Sequence, residues 1–405
     1  MAADVSPSQN VEMLNQGLWV FNKSGNVQGG PEPLYQLWCG SVGANGQYLP
    51  PCPAAGNENP LELVDTQIAF DPFDSRWLAT TLAINPVEKT GDLLFAVSTS
   101  TSAIDGTGAW ERYDIPVCTS GTNLFPDQPI LGYSSDWVAA DVLCADPAGN
   151  FGDGTDSLLL IPNASIVNPP QALNANSQII NPPLFASRPS RDVSASGYSQ
   201  LILASARFNP NAPPNVALYG IGASPSPTPV GNSPDIWGFS GTGSDQMPDA
   251  PQPGCTVETS NCMINVIDQS RIQQVTLQYD PANGRHYLLT SVAAGYQSGA
   301  EIIYFIGELE TGNWDGEFTG AGNTGWVPAY TTITADQDLD ISATETSFIS
   351  NGFPYSIGFA WHGFQGPGQP TGPAEVAFAN SAGIFTGQNT CPTPTPTGNA
   401  SPTAR

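Results

Sequence analysis

The sequence predicts an all-β fold built from repeats, on three observations. Gly and Pro are abundant, at 42 and 39 of 405 residues, and both break helices. Apolar residues alternate over short runs bounded by turn formers, as in Trp137–Cys144, Ser157–Ile161, Gln200–Ala204, Val216–Ile221 and Glu301–Ile306. Finally, one hairpin-like segment recurs along the chain. No amphipathic helix longer than about two turns is expected.

The recurring segment carries the argument. Asp65 to Ala79 reads DTQIAFDPFDSRWLA, an alternating strand, an Asp-Pro turn and a second strand opening at Trp77. Asp127 to Ala139 repeats the layout with Trp137, and Gln274 to Leu289 does so with Asp280-Pro281 where Asp71-Pro72 stood. Weaker copies lie at Phe185 to Leu203 and Asp338 to Trp361. A spacing of roughly 60 residues leaves room for about four strands per unit. A single four-stranded sheet cannot bury both faces, whereas radially packed copies can. The expected architecture is therefore a β-propeller of about six four-stranded blades, with five and seven left open. It would occupy residues 1–386. A Pro/Thr-rich tail or stalk, 387–405, follows, because CPTPTPT favours an extended polyproline-like strut. Ser224 to Pro229 (SPSPTP) reads as a surface loop between blades.

The pattern D-x-x-I-x-Y/F-D-P-x-x-x-R-W/Y, with the FPDQPILGYSSDW unit at Phe125 to Trp137, resembles a group of secreted bacterial β-propeller proteins, broadly sialidase-like in fold and mostly uncharacterised. The resemblance spans about residues 15–385 and implies a propeller at a secreted or surface location. Its motifs are structural: Asp, Pro and Gly build the hairpin, and Trp packs between blades. No catalytic residues carry over, and the sialidase Asp-box S-x-D-x-G-x-x-W is absent.

Composition narrows the partners. The net charge is −26, from 36 acidic and 10 basic side chains, and only Lys23 and Lys89 are lysines. That excess repels phosphate backbones and anionic lipid, so neither nucleic acid nor a lipid surface is an expected partner. No run of 18 apolar residues occurs, so no membrane span is expected within this chain. The expected location is secreted or at the cell surface, with the leader not visible at Met1 to Val5.

Seven cysteines fit no metal-binding spacing with His286 and His362. Their proximity suggests three local disulfides, Cys39 with Cys52, Cys118 with Cys144, and Cys255 with Cys262, leaving Cys391 alone. Spacing does not prove connectivity, and buried free thiols are the plain alternative.

Candidate chemistry is sparse. Gly320 to Gly325 matches G-x-G-x-x-G, but Trp326-Val327-Pro328 cannot open the helix a dinucleotide site needs. No G-x-S-x-G occurs. His286 takes the repeat position of Trp77 and Trp137, so packing is its expected role. On a strand, Asp336, Asp338 and Asp340 would share one face, where calcium would relieve their repulsion; a solvated acidic edge is the alternative. Asp146, Asn150, Asp153 and Asp156, in a loop with Gly149, Gly152 and Gly154, form a second oxygen-rich cluster without EF-hand spacing, for which a solvated loop is the plain reading. Trp314 and Trp326 flank a glycine-rich loop and are the candidate ligand-stacking residues.

These observations lead first to a non-enzymatic binding or assembly module presenting propeller loops to a glycan or an extracellular protein. The alternatives are a secreted polysaccharide hydrolase or lyase using axial carboxylates, and a purely structural component of an extracellular assembly. Convergent carboxylates at the axis would favour the hydrolase, and an axis plugged by apolar side chains would exclude it.

Overall fold

The computed structural model describes residues 2–38, 62–85, 90–104, 109–119, 124–145, 156–167, 177–182, 186–195, 197–209, 212–230, 272–296, 299–319, 326–335, 341–349, 355–361 and 374–380. These residues form a β-propeller. Six consecutive groups of four antiparallel strands run along the described chain. The first is β1 (Ala2–Val5), β2 (Gln9–Leu14), β3 (Gly17–Asn22) and β4 (Val27–Pro33), and the second is β5 (Glu62–Asp71), β6 (Arg76–Asn85), β7 (Thr90–Ser98) and β8 (Trp110–Ile115). The third is β9 (Phe125–Tyr133), β10 (Trp137–Ala145), β11 (Asp156–Pro162) and β12 (Gln178–Ile180). β13 (Arg188–Asp192), β14 (Leu201–Asn209), β15 (Ala212–Ile221) and β16 (Thr228–Pro229) make the fourth. The fifth is β17 (Ile272–Asp280), β18 (Arg285–Tyr296), β19 (Gly299–Glu308) and β20 (Asn313–Thr319), and the sixth is β21 (Trp326–Ala335), β22 (Ile341–Ile349), β23 (Tyr355–Trp361) and β24 (Ala374–Asn380). Among the described residues, only α1 (Leu34–Trp38) and α2 (Ala164–Val167) are α-helical, and no helix is long and apolar enough to cross a membrane.

The recurring segment folds as one recurring hairpin. Asp71 pairs with Arg76 and Phe70 with Trp77, just as Asp280 pairs with Arg285 and Tyr279 with His286. Each aspartate caps its own turn: Oδ1 accepts from Phe73 N at 2.9 Å and from Ala282 N at 2.8 Å respectively. Ser134 substitutes in the third sheet, its Oγ accepting from Trp137 N at 3.3 Å. The first sheet carries no Asp-Pro signature. Its β1–β2 turn is Ser6-Pro7-Ser8, with Ser6 Oγ accepting from Gln9 N at 3.0 Å.

Strand alternation sends each sheet's side chains into two separate cores. On β6, Leu78 and Leu82 enter a core shared with the third sheet, while Trp77, Ala79 and Ala83 enter one shared with the first. On β10, Val138, Ala140 and Val142 pack toward the second sheet, and Trp137 and Ala139 toward the fourth. Trp77 and Trp137 therefore pack between sheets, as the repeat predicts. Trp77 has no exposed surface and meets Phe70 edge-on at 5.2 Å between centroids.

The 224–229 stretch differs from expectation. Ser224 to Pro227 form a loop within the fourth sheet rather than between blades, and Thr228 and Pro229 pair with Gly220 and Tyr219 as the edge strand β16. Proline is tolerated there because an edge strand need not donate on its outer side. Cys118 and Cys144 are disulfide-bonded, joining the segment after β8 to β10. Cys39, Cys52, Cys255, Cys262 and Cys391 lie outside the described residues, as do the 387–405 tail and most of 146–156.

Two outcomes follow. Trp77→Ala empties a fully buried site between two sheets and should lower unfolding free energy by about 3–5 kcal/mol in denaturant titration. Replacing both Cys118 and Cys144 by alanine should lower it by about 3.5 kcal/mol, the chain-entropy value for a closed loop of that length.

Candidate functional site

The first strands of successive sheets lie side by side in the order β1, β5, β9, β13, β17 and β21. β13 is the most enclosed described member of this inner row. It pairs antiparallel with β14 and parallel with both β9 and β17, and all five of its residues (RPSRD) are buried. Two of the chain's few basic side chains, Arg188 and Arg191, therefore stand on the inner row.

Arg191 gathers one polar cluster. Its Nε donates to Leu131 O at 3.2 Å and its Nη2 to Gln67 Oε1 at 3.4 Å, while Nη1 lies 3.6 Å from Asp4 Oδ2. Asp4 Oδ2 also accepts from Phe70 N at 2.9 Å and Oδ1 from Val5 N at 2.7 Å. Four sheets thus meet at one ion pair. Asp4 keeps 22% of its side chain exposed and Arg191 10%, so solvent reaches the pair at its Asp4 end.

Asp71, Asp192 and Tyr133 stand behind them without exposed surface or nearly so. Asp192 accepts from Ser194 Oγ at 2.7 Å, and that hydroxyl accepts from Tyr279 N at 3.1 Å. Asp71 Oδ2 is buried with no hydrogen-bond partner. Burial, with the charges of Asp74 and Asp192 adding to it, pushes the Asp71 carboxyl up to about 7. Burial also raises Asp4, against the opposing pull of Arg191.

Arg188 gathers a second, deeper cluster. Its Nε donates to Ile272 O at 2.9 Å and its Nη2 to Gln128 Oε1 at 3.2 Å. Nη1 lies 3.7 Å from Asp141 Oδ2, with both side chains essentially enclosed. Asp156 Oδ2 accepts from Ser187 N at 2.8 Å. Asp156 is therefore a core residue at the start of β11, not part of a solvated loop.

A third group lies on the β17–β18 hairpin. His286 packs between Tyr198 and Tyr279, at centroid distances of 4.7 and 4.9 Å, and its Nδ1 meets Glu310 Oε1 at 2.7 Å. Packing, the role expected for His286, is what it does. Both tyrosines remain half-buried.

Among the expected site residues, Trp314 is half-buried with its ring against the Gly307 backbone. A Cβ at 307 would overlap the Trp314 ring, so only glycine admits this packing. Trp326 opens β21, but its side chain lies outside the described residues, as do Asp336, Asp338 and Asp340, the expected calcium ligands. Among the described residues no group of three or more His, Cys, Asp or Glu could hold a metal ion. The sequence reading missed Arg188, Arg191 and Asp4. A usable signal existed: two arginines within four residues of a chain so poor in bases, with Pro189 between them and Asp192 following.

No family model matches the chain, and no curated protein does. Solved structures similar in chain trace include the Bacillus subtilis arabinanase Arb43A, at 16% identity and TM-score 0.35, covering 75% of this chain and 96% of that one. The Synechocystis apocarotenoid oxygenase (Trp149Ala mutant) gives 10% identity and TM-score 0.40, with 93% of this chain and 71% of that one covered. A Trypanosoma rangeli sialidase mutant displaying trans-sialidase activity gives 7% and 0.30, with 73% and 54% covered. Likeness at this level carries no inference about activity.

The raised Asp71 carboxyl has a signed consequence for stability. Its folded pKa lies above the unfolded value, so the folded chain holds more protons than the unfolded one between about pH 4 and 7. Asp71 thus favours the fold at acid pH, and that contribution fades as pH rises through about 7. Asp71→Asn keeps an Oδ1 acceptor for the turn and removes the proton. The variant should lose up to about 1.4 kcal/mol per pH unit of wild-type slope between pH 4 and 7, read from urea midpoints.

Proposed function

We propose that this β-propeller is a secreted, glycan-directed hydrolase whose acid–base groups come from the Arg191 cluster. The observation that carries the reading is the polar inner row: Asp4 and Gln67, each partly exposed, meet the buried Arg191, with Asp71 and Asp192 behind them, where an apolar plug would exclude axial chemistry. Glycosidic hydrolysis asks for one carboxyl that still holds a proton near neutral pH and a second that acts as base or nucleophile. Asp71 meets the first requirement through its burial. Asp4, partly exposed and held by Arg191 and two backbone amides, would meet a substrate first. Arg191 would fix the orientation of Asp4 and hydrogen-bond sugar hydroxyls in its reach. The expected partner is a neutral polysaccharide, since a net charge of −26 disfavours polyanions.

A second reading, glycan binding without turnover, is favoured by the Tyr198–His286–Tyr279 group. Half-buried rings beside Glu310 offer sugar-stacking faces next to a hydrogen-bonding carboxylate.

A panel of plant and microbial polysaccharides, assayed for new reducing ends, separates the two. Release by the wild type, with Asp4→Asn and Asp71→Asn each reducing it by about a hundredfold or more while keeping the wild-type circular dichroism, is the expected result. Full activity in Asp71→Asn would reduce Asp71 to a turn cap. Retention on a polysaccharide gel without turnover, abolished by Tyr279→Ala, would replace the hydrolase with the binding module.

A further inference from the structure

Asp141 and Asp156 lie outside the Arg191 cluster and have no part in the proposed reaction. Both are buried, on adjacent antiparallel strands, where Asp141 pairs with Leu158, two residues beyond Asp156. No hydrogen bond reaches either oxygen of Asp141, nor Oδ1 of Asp156, nor the Oγ of Ser187, and all of these atoms are buried. The charged group facing them from β13 is Arg188; β9 presents Gln128, and β17 presents the carbonyl of Ile272, both already taken by Arg188. Two carboxylates against one guanidinium would leave an uncompensated negative charge in an enclosed site, and a single bound proton removes it.

We propose that Asp141 and Asp156 share one proton, and that its loss loosens the junction between the third and fourth sheets. Asp156 is the better carboxylate of the pair, because its Oδ2 already accepts from Ser187 N. Asp141 is the better neutral acid, being fully enclosed beside the negative Asp156 with no backbone amide bonded to it. Burial raises both carboxyls above the usual range, and Asp156 raises Asp141 further. The arrangement has a direct mechanical link. Ser187 N ties the segment leading into β13 to β11, and the next residue of β11, Ser157, accepts from Cys118 N at 3.1 Å beside the disulfide. A second negative charge in this site therefore strains the seam where the innermost strand meets the third sheet. The junction holds in acid and loosens in alkali.

The test is hydrogen exchange of the wild-type chain between pH 5 and 9, read at Ser187, Leu143 and Leu158 and corrected for intrinsic exchange. Protection should fall by about tenfold per pH unit once the shared proton leaves. Asp141→Asn supplies a permanently neutral partner, so its protection should stay flat across the range. Selective carbon-13 labelling of Asp carboxyls gives a reading on the wild type that does not depend on a variant folding. It should show one of the two carboxyls still protonated at pH 6. Asp141→Asn with the wild-type pH dependence, or two carboxyls ionising independently below pH 5, would overturn the proposal. So would alkaline protection restored by sodium or calcium but not by choline, which would make the occupant a metal cation.

Discussion

The inner row depends on how β13 holds two guanidinium groups away from water. β13 pairs with three strands and all five of its residues are buried, so Arg188 and Arg191 find their partners within the protein. They find them on different sheets. Arg191 reaches β1, β5 and β9, and Arg188 reaches β9, β10 and the first residue of β17. Sheets otherwise joined by apolar packing are thereby fixed in register around one short strand. Removing either arginine would strand buried carboxylates, a loss of several kcal/mol in comparable sites.

Around that row, stability is divided among cores that each belong to two neighbouring sheets. The period-2 alternation of β6 and β10 assigns Leu78 and Val138 to one core and Trp77 and Trp137 to two others. No sheet can bury both faces alone, so each sheet depends on its neighbours. The Cys118–Cys144 bond strengthens one such contact, between the second and third sheets, and both sulfurs lie inside the core they clip. It locks a packing that apolar burial already favours.

The legible part of this fold was local. Asp71-Pro72 and Asp280-Pro281 announce their hairpins because an aspartate caps its own turn two residues on, and the next aromatic or histidine falls opposite the strand's last large residue. The first sheet was hidden because serine makes its turn by the same hydrogen bond with a different residue. The Arg191 cluster was hidden for another reason. Asp4, Gln67, Leu131 and Arg191 are spread across half the chain, and nothing in their spacing marks them as neighbours until the sheets are arranged around an axis. With 36 acidic residues available, no single carboxylate stood out. The scarce arginines were the better guide, because a rare charge in a buried strand must be paid for by specific partners.

Placement on the inner row also decides how the acidic excess is tolerated. Aspartates that face outward are screened and add only to the negative field. Asp71, Asp141 and Asp156 face inward and cannot all ionise without destabilising the sheets that hold them. The two arginines compensate only part of that charge, and protons supply the remainder. The same scarcity of bases thus ties the interior to acid or neutral conditions. In that range Asp71 holds its proton, so the conditions that secure the sheets are those in which this buried carboxyl stays neutral.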